Sequence, residues 1–76
     1  MNPIQALKYI KIIKSQDKES LTLNDIAKVI NVDVNEAKRI IRKLKREGFI
    51  RRTKSGRYKL TLASKIILEL IKEKTQ

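Results

Sequence analysis

Between Asp33 and Leu60 the chain reads DVNEAKRIIRKLKREGFIRRTKSGRYKL, and at Gly48 its apolar spacing changes from helical to alternating. From Lys38 to Lys59 this stretch holds eleven Lys or Arg and one acid, Glu47, so it carries +10 of the chain's formal +11. Charge at that density cannot be buried, so the stretch must offer one apolar edge to a core and turn everything else outward. With Ala37 at zero and about 100 degrees added per residue, Ala37, Ile40, Ile41 and Leu44 centre near about 350 degrees. Asn35, Arg39, Arg42 and Arg46 fall opposite, with Lys38 and Lys43 flanking. The spacing predicts a helix from Val34 to Glu47, stopped by Gly48 with its tolerance of positive φ. After it, Phe49 to Thr53 and Arg57 to Leu60 read as two strands about the turn Lys54, Ser55, Gly56, Arg57. Ile50, Tyr58 and Leu60 are expected inward. Arg51, Lys54, Arg57 and Lys59 are expected on the exposed side or tip, while alternation does not fix the register of Arg52 and Thr53.

The rest of the chain supplies what this stretch packs on. Asn2 before Pro3 marks a helix start, with Gln5 placed to reach back, and the first helix is expected to run to Lys14 with Ala6, Tyr9, Ile10 and Ile13 inward. Ile4, Leu7 and Ile12 fall outside that stripe. Residues 15 to 21, SQDKESL, read as a loop. Thr22 with Asp25 forms a capping box for a second helix reaching Ile30, with Ile26, Ala27 and Ile30 inward. Asn31 suits a left-handed turn and Val32 a plug between two helices. Asp33 with Glu36 repeats the capping-box spacing for the third helix. Two capped helices joined by so short a turn make a helix-turn-helix. Thr61 is expected to cap a last helix with Ala63, Ile66, Ile67, Leu70 and Ile71 inward and Leu68 pointing away.

Seventy-six residues make one domain, 1 to 76, with a single small core. The absence of Cys and His excludes a zinc finger, thiol or histidine chemistry and a disulfide staple. No glycine-rich phosphate loop occurs, and Asp25, Asp33 and Glu36 are assigned to caps, so an enzyme is not expected, nor a cofactor. No apolar run reaches the roughly 18 residues of a membrane span. The start, MNPIQALKYIKIIK, has lysines breaking up its apolar positions at helical spacing. It therefore reads as a folded helix rather than a membrane or transit segment, and the expected location is the cytoplasm, at the nucleoid.

Taken in order, V-D-x-x-x-A-x-x-I-I-x-x-L-x-x-x-G-F-I at 32 to 50 and R-Y-K-L-T-L-A-S at 57 to 64 resemble the turn, recognition helix and wing exit of winged helix-turn-helix DNA-binding regulators. The likeness covers about residues 3 to 72 and is similar to small regulators of archaea and their viruses or plasmids. It implies a mostly α fold with a small β hairpin: a three-helix core, a two- or three-stranded wing and a C-terminal helix. Ser64 stands where many such regulators have glycine, so a local difference is expected there. On this reading the third helix enters the major groove of double-stranded DNA. Asn35, Lys38, Arg39 and Arg42 would meet base edges and Lys43 and Arg46 phosphates. Arg51, Lys54, Ser55, Arg57 and Lys59 of the hairpin would hold the backbone or minor groove.

A transcriptional repressor acting by occupancy is the plainest role. An RNA-binding or nonspecific chromatin protein remains an alternative, as does a winged helix used as a protein-interaction module. The surplus apolar residues Ile4, Leu7, Ile12 and Leu68, together with the resemblance, point to a homodimer, or two copies per DNA site, through the first and last helices. No small-molecule ligand is evident in the sequence.

Overall fold

A computed structural model describes residues 1 to 74. Its elements are α1 (Pro3–Lys14), α2 (Leu23–Val29), α3 (Val34–Arg46), β1 (Ile50–Arg52), β2 (Tyr58–Leu60) and α4 (Leu62–Lys74). Ile10 of α1, Ile26 of α2 and Leu44 of α3 meet at the centre, closed on the hairpin side by Ile50 and Leu60. The strands are antiparallel, with Ile50 opposite Leu60, Arg51 opposite Lys59 and Arg52 opposite Tyr58. Cross-strand partners share a face, so Arg52 lies on the core-side face but beyond the core, exposed.

Each helix start is satisfied by a side chain that the sequence places there. Asn2 Oδ1 accepts the Gln5 N–H at 2.8 Å, and Pro3 follows with no N–H to orphan. The Gln5 side chain does not reach back as expected; it donates to the Tyr9 hydroxyl at 3.4 Å. At α2 both legs of the capping box form, Thr22 N–H to Asp25 Oδ2 and Asp25 N–H to Thr22 Oγ1, each 3.1 Å. At α3 only half of the expected box forms, Asp33 Oδ1 accepting the Glu36 N–H at 2.8 Å, because the Glu36 carboxylate is turned to Arg39.

Both helices of the helix-turn-helix end in the same way. Asn31 takes φ 60° and Gly48 φ 81°. The N–H of Val32 then reaches the Ala27 carbonyl at 3.0 Å, and that of Phe49 the Leu44 carbonyl at 2.9 Å. These are Schellman closures, which satisfy helix-end carbonyls and turn the chain sharply.

Two expectations need correction. Leu21, expected in a loop, is buried and exchanges N–H to O bonds of 2.8 Å in both directions with Tyr58, so it adds a single-residue third rung to the hairpin. The inward face of α4 consists of Ser64, Ile67, Leu68 and Ile71, with Leu68 packed on the core, whereas Ala63, Ile66 and Leu70 are exposed. The helix is thus turned by about 80 degrees from the face that hydrophobicity alone selects. Hydrogen bonds at its start set that rotation. The Thr61 hydroxyl donates to the Gly48 carbonyl at 2.6 Å, and its oxygen accepts the Ser64 N–H at 3.3 Å. The fully buried Ser64 hydroxyl donates to the Phe49 carbonyl at 2.5 Å. Leu7 also packs on the core, so of the surplus residues only Ile4 stands fully out, joined by Leu62, Ile66 and Leu70.

Two outcomes follow from this architecture. Leu44→Ala should cost about 2 to 5 kcal/mol in urea unfolding, most of the stability of a domain this small. The backbone and hydroxyl hydrogen bonds from Thr22 hold the Asp25 carboxyl below its ordinary 3.8, outweighing a small opposing effect of burial. A depressed carboxyl stabilises the fold above its unfolded value and loses that contribution as pH falls through the folded one. Wild type should therefore exceed Asp25→Asn in thermal midpoint at neutral pH, with the gap closing below about pH 3.8.

Candidate nucleic-acid interface

The burial of Ala37, Ile40, Ile41 and Leu44 fixes what α3 shows on its other side. Asn35, Lys38, Arg39, Arg42, Lys43 and Arg46 are all exposed, as is Lys45, which the sequence reading left out. The first four lie along the N-terminal and middle turns, where a helix laid in a groove comes closest to base edges, and Lys43 and Arg46 lie toward its exit. Helix polarity adds to the arrangement, since Asp33 closes the positive end and Lys43, Lys45 and Arg46 crowd the negative one.

The hairpin cations divide into two groups. Arg51, Lys54 and Ser55 are exposed as expected, the Ser55 hydroxyl lying 3.0 Å from that of Thr53. The turn is closed by Thr53, whose N–H donates to the Arg57 carbonyl at 2.8 Å and whose Oγ1 accepts the Arg57 N–H at 3.1 Å. Gly56 completes it at φ 79°.

Arg57 is not free at the tip. Its Nε donates to Ser20 Oγ at 2.9 Å and its Nη2 to the Ser20 carbonyl at 3.3 Å. Lys59 is likewise drawn in, its side chain 22% exposed and its Nζ 3.6 Å from Glu19 Oε1. The expectation that both project outward is corrected: the rung between Leu21 and Tyr58 brings the loop before α2 alongside β2, and Ser20 and Glu19 come with it.

Arg52, on the opposite face of the hairpin from Lys59, is exposed instead. Its guanidinium lies 3.5 Å from where a Cβ on Gly56 would sit, so it reaches along the hairpin to the turn. Its pairing with Tyr58 settles the register that alternation alone left open. Within the Lys38–Lys59 stretch, the exposed cations are therefore those of α3 together with Arg51, Arg52 and Lys54.

The surface is not built for stacking on unpaired bases. Tyr9, Phe49 and Tyr58 are each packed against the core. Among the described residues no helix is long and apolar enough to cross a membrane.

The MarR family is matched over residues 5–57, from the first turn of α1 through the hairpin turn. No curated protein and no solved structure matches the chain. The match spans well over half of the chain, and four helices with a two-stranded antiparallel hairpin agree with the fold it implies. The chain belongs to the MarR family of winged-helix, DNA-binding transcriptional regulators.

Proposed function

We propose that this protein is a sequence-specific repressor that binds duplex DNA with α3 in the major groove and the wing on the backbone or in the minor groove. The observation that carries the reading is the division of α3, four buried apolar side chains on one edge and seven exposed polar or basic ones, Lys45 included, around the rest. Asn35, Lys38, Arg39 and Arg42 meet base edges, where asparagine pairs with adenine and arginine with guanine in bidentate fashion. Lys43, Arg46, Arg51, Arg52 and Lys54 meet phosphates, with Ser55 at the turn as a further donor. Arg57 and Lys59 act one step back, holding the wing against the loop that carries Glu19 and Ser20. Occupancy alone suffices to block a promoter, so repression asks least of this surface.

Two copies bind together. MarR proteins usually dimerise, and the exposed Leu62, Ile66 and Leu70 recur every four residues along α4, at 72%, 51% and 55% exposure. With Ile4 of α1, they give each copy apolar surface that a symmetric contact of α1 and α4 would cover. Half-sites are then spaced by about 10 base pairs.

Three measurements test these statements. Log affinity for duplex DNA should fall with log salt at a slope of about −4 to −5 per bound subunit, as expected for about five phosphate contacts, and a flat response would contradict the reading. Arg42→Ala should cost about 1 to 3 kcal/mol on the preferred sequence and relax preference at one position, whereas Arg51→Ala should weaken all duplexes alike. Ile66→Glu should give a folded monomer by sedimentation where the wild type is a dimer. A wild type that stays monomeric, and binds DNA singly, would remove the pairing proposal.

A further inference from the structure

Among the cations of α3's outward half the structure places one carboxylate, and it is held by an arginine assigned to the groove. Glu36 is the third residue of α3; its N–H is taken by Asp33 at 2.8 Å and its Oε1 accepts from Arg39 Nη1 at 3.1 Å. The two stand three residues apart on one helix edge, the spacing at which side chains meet. Helical geometry puts Glu36 about 90 degrees and Arg39 about 150 degrees from the centre of the buried edge. The acid therefore sits on the flank and the arginine nearer the groove. Gln5 and Tyr9 of α1 line the same small cleft as Glu36, Arg39 and Lys43. The pair faces solvent, with the Glu36 side chain 45% and the Arg39 side chain 65% exposed.

An unrestrained arginine at this position would reach any phosphate. A guanidinium with one nitrogen engaged by a carboxylate has a preferred plane, and its remaining N–H donors keep the fork that matches guanine O6 and N7. The carboxylate also meets the phosphate backbone as a like charge on every duplex, a cost offset only where Arg39 finds its base. Both effects enlarge the difference between sequences rather than the affinity for each.

We propose that Glu36 is a positioning residue that sets sequence selectivity, orienting Arg39 toward a guanine edge and disfavouring every duplex that lacks it. This rests on the reading that α3 lies in the major groove.

The test compares Glu36→Gln, Glu36→Asp and Glu47→Gln on two duplexes, one selected from a random pool and one scrambled, with circular dichroism to verify folding. Glu47 closes the far end of α3, so its substitution makes the same charge change away from Arg39. Glu36→Gln should raise affinity for the scrambled duplex about two- to five-fold and lower the ratio of selected to scrambled binding by at least that factor. Glu47→Gln should strengthen both duplexes alike. Glu36→Asp, which keeps the charge but not the reach, should lose discrimination at the guanine position without the gain on scrambled DNA. If Glu36→Gln leaves the ratio unchanged while wild type remains selective, the proposal is overturned and the groove reading stands. If wild type fails to separate the two duplexes, both fall.

Discussion

The joint at Gly48 and Phe49 holds the rest of the structure in register. Gly48 adopts φ 81°, which lets the Phe49 N–H close back on Leu44 and end α3. The carbonyls of the same two residues accept the hydroxyls of Thr61 and Ser64, which start α4. A Cβ at Gly48 would meet nothing within 4 Å, so glycine is favoured there by backbone conformation and not by space. One bend thereby sets where α3 stops, where the hairpin leaves and how α4 is rotated. The rotation decides which apolar residues of α4 reach the core and which remain outside.

This dependence explains what was legible in the sequence. The α3 face was, because Ala37, Ile40, Ile41 and Leu44 repeat at helical spacing and charge fills the other positions. Asn31 and Gly48 were as well, since few residues tolerate positive φ. The face of α4 was not. Ser64 looks like a solvent residue, yet it is buried because its hydroxyl meets a carbonyl presented fifteen residues earlier. Ala63, Ile66 and Leu70 look like core and are turned out by the same bond. Hydrophobic spacing reports amphipathicity but not a rotation fixed by a long-range hydrogen bond.

The basic surface shows a similar limit. A cation's place in the chain does not say whether it is free, and the pairing of Leu21 with Tyr58 is what brings Ser20 to Arg57 and Glu19 to Lys59. Those interactions are partly exposed and individually weak, on the order of 0.2 to 1 kcal/mol for ion pairs of this kind. Their consequence lies in geometry: the β2 side of the wing, at Arg57 and Lys59, is tied to the loop before α2, while Arg51 and Arg52 of β1 and Lys54 of the turn remain exposed. The wing thus combines one tethered strand with one whose cations are exposed.

The central claim is that α3 reads sequence rather than charge alone. It is tested most directly by selecting duplexes from a random pool at moderate salt, with duplex RNA present as competitor. The account predicts enrichment of one defined DNA motif with two half-sites about one helical turn apart, little affected by the RNA. Recovery of duplexes without a shared motif, or equal loss to the RNA competitor, would contradict it.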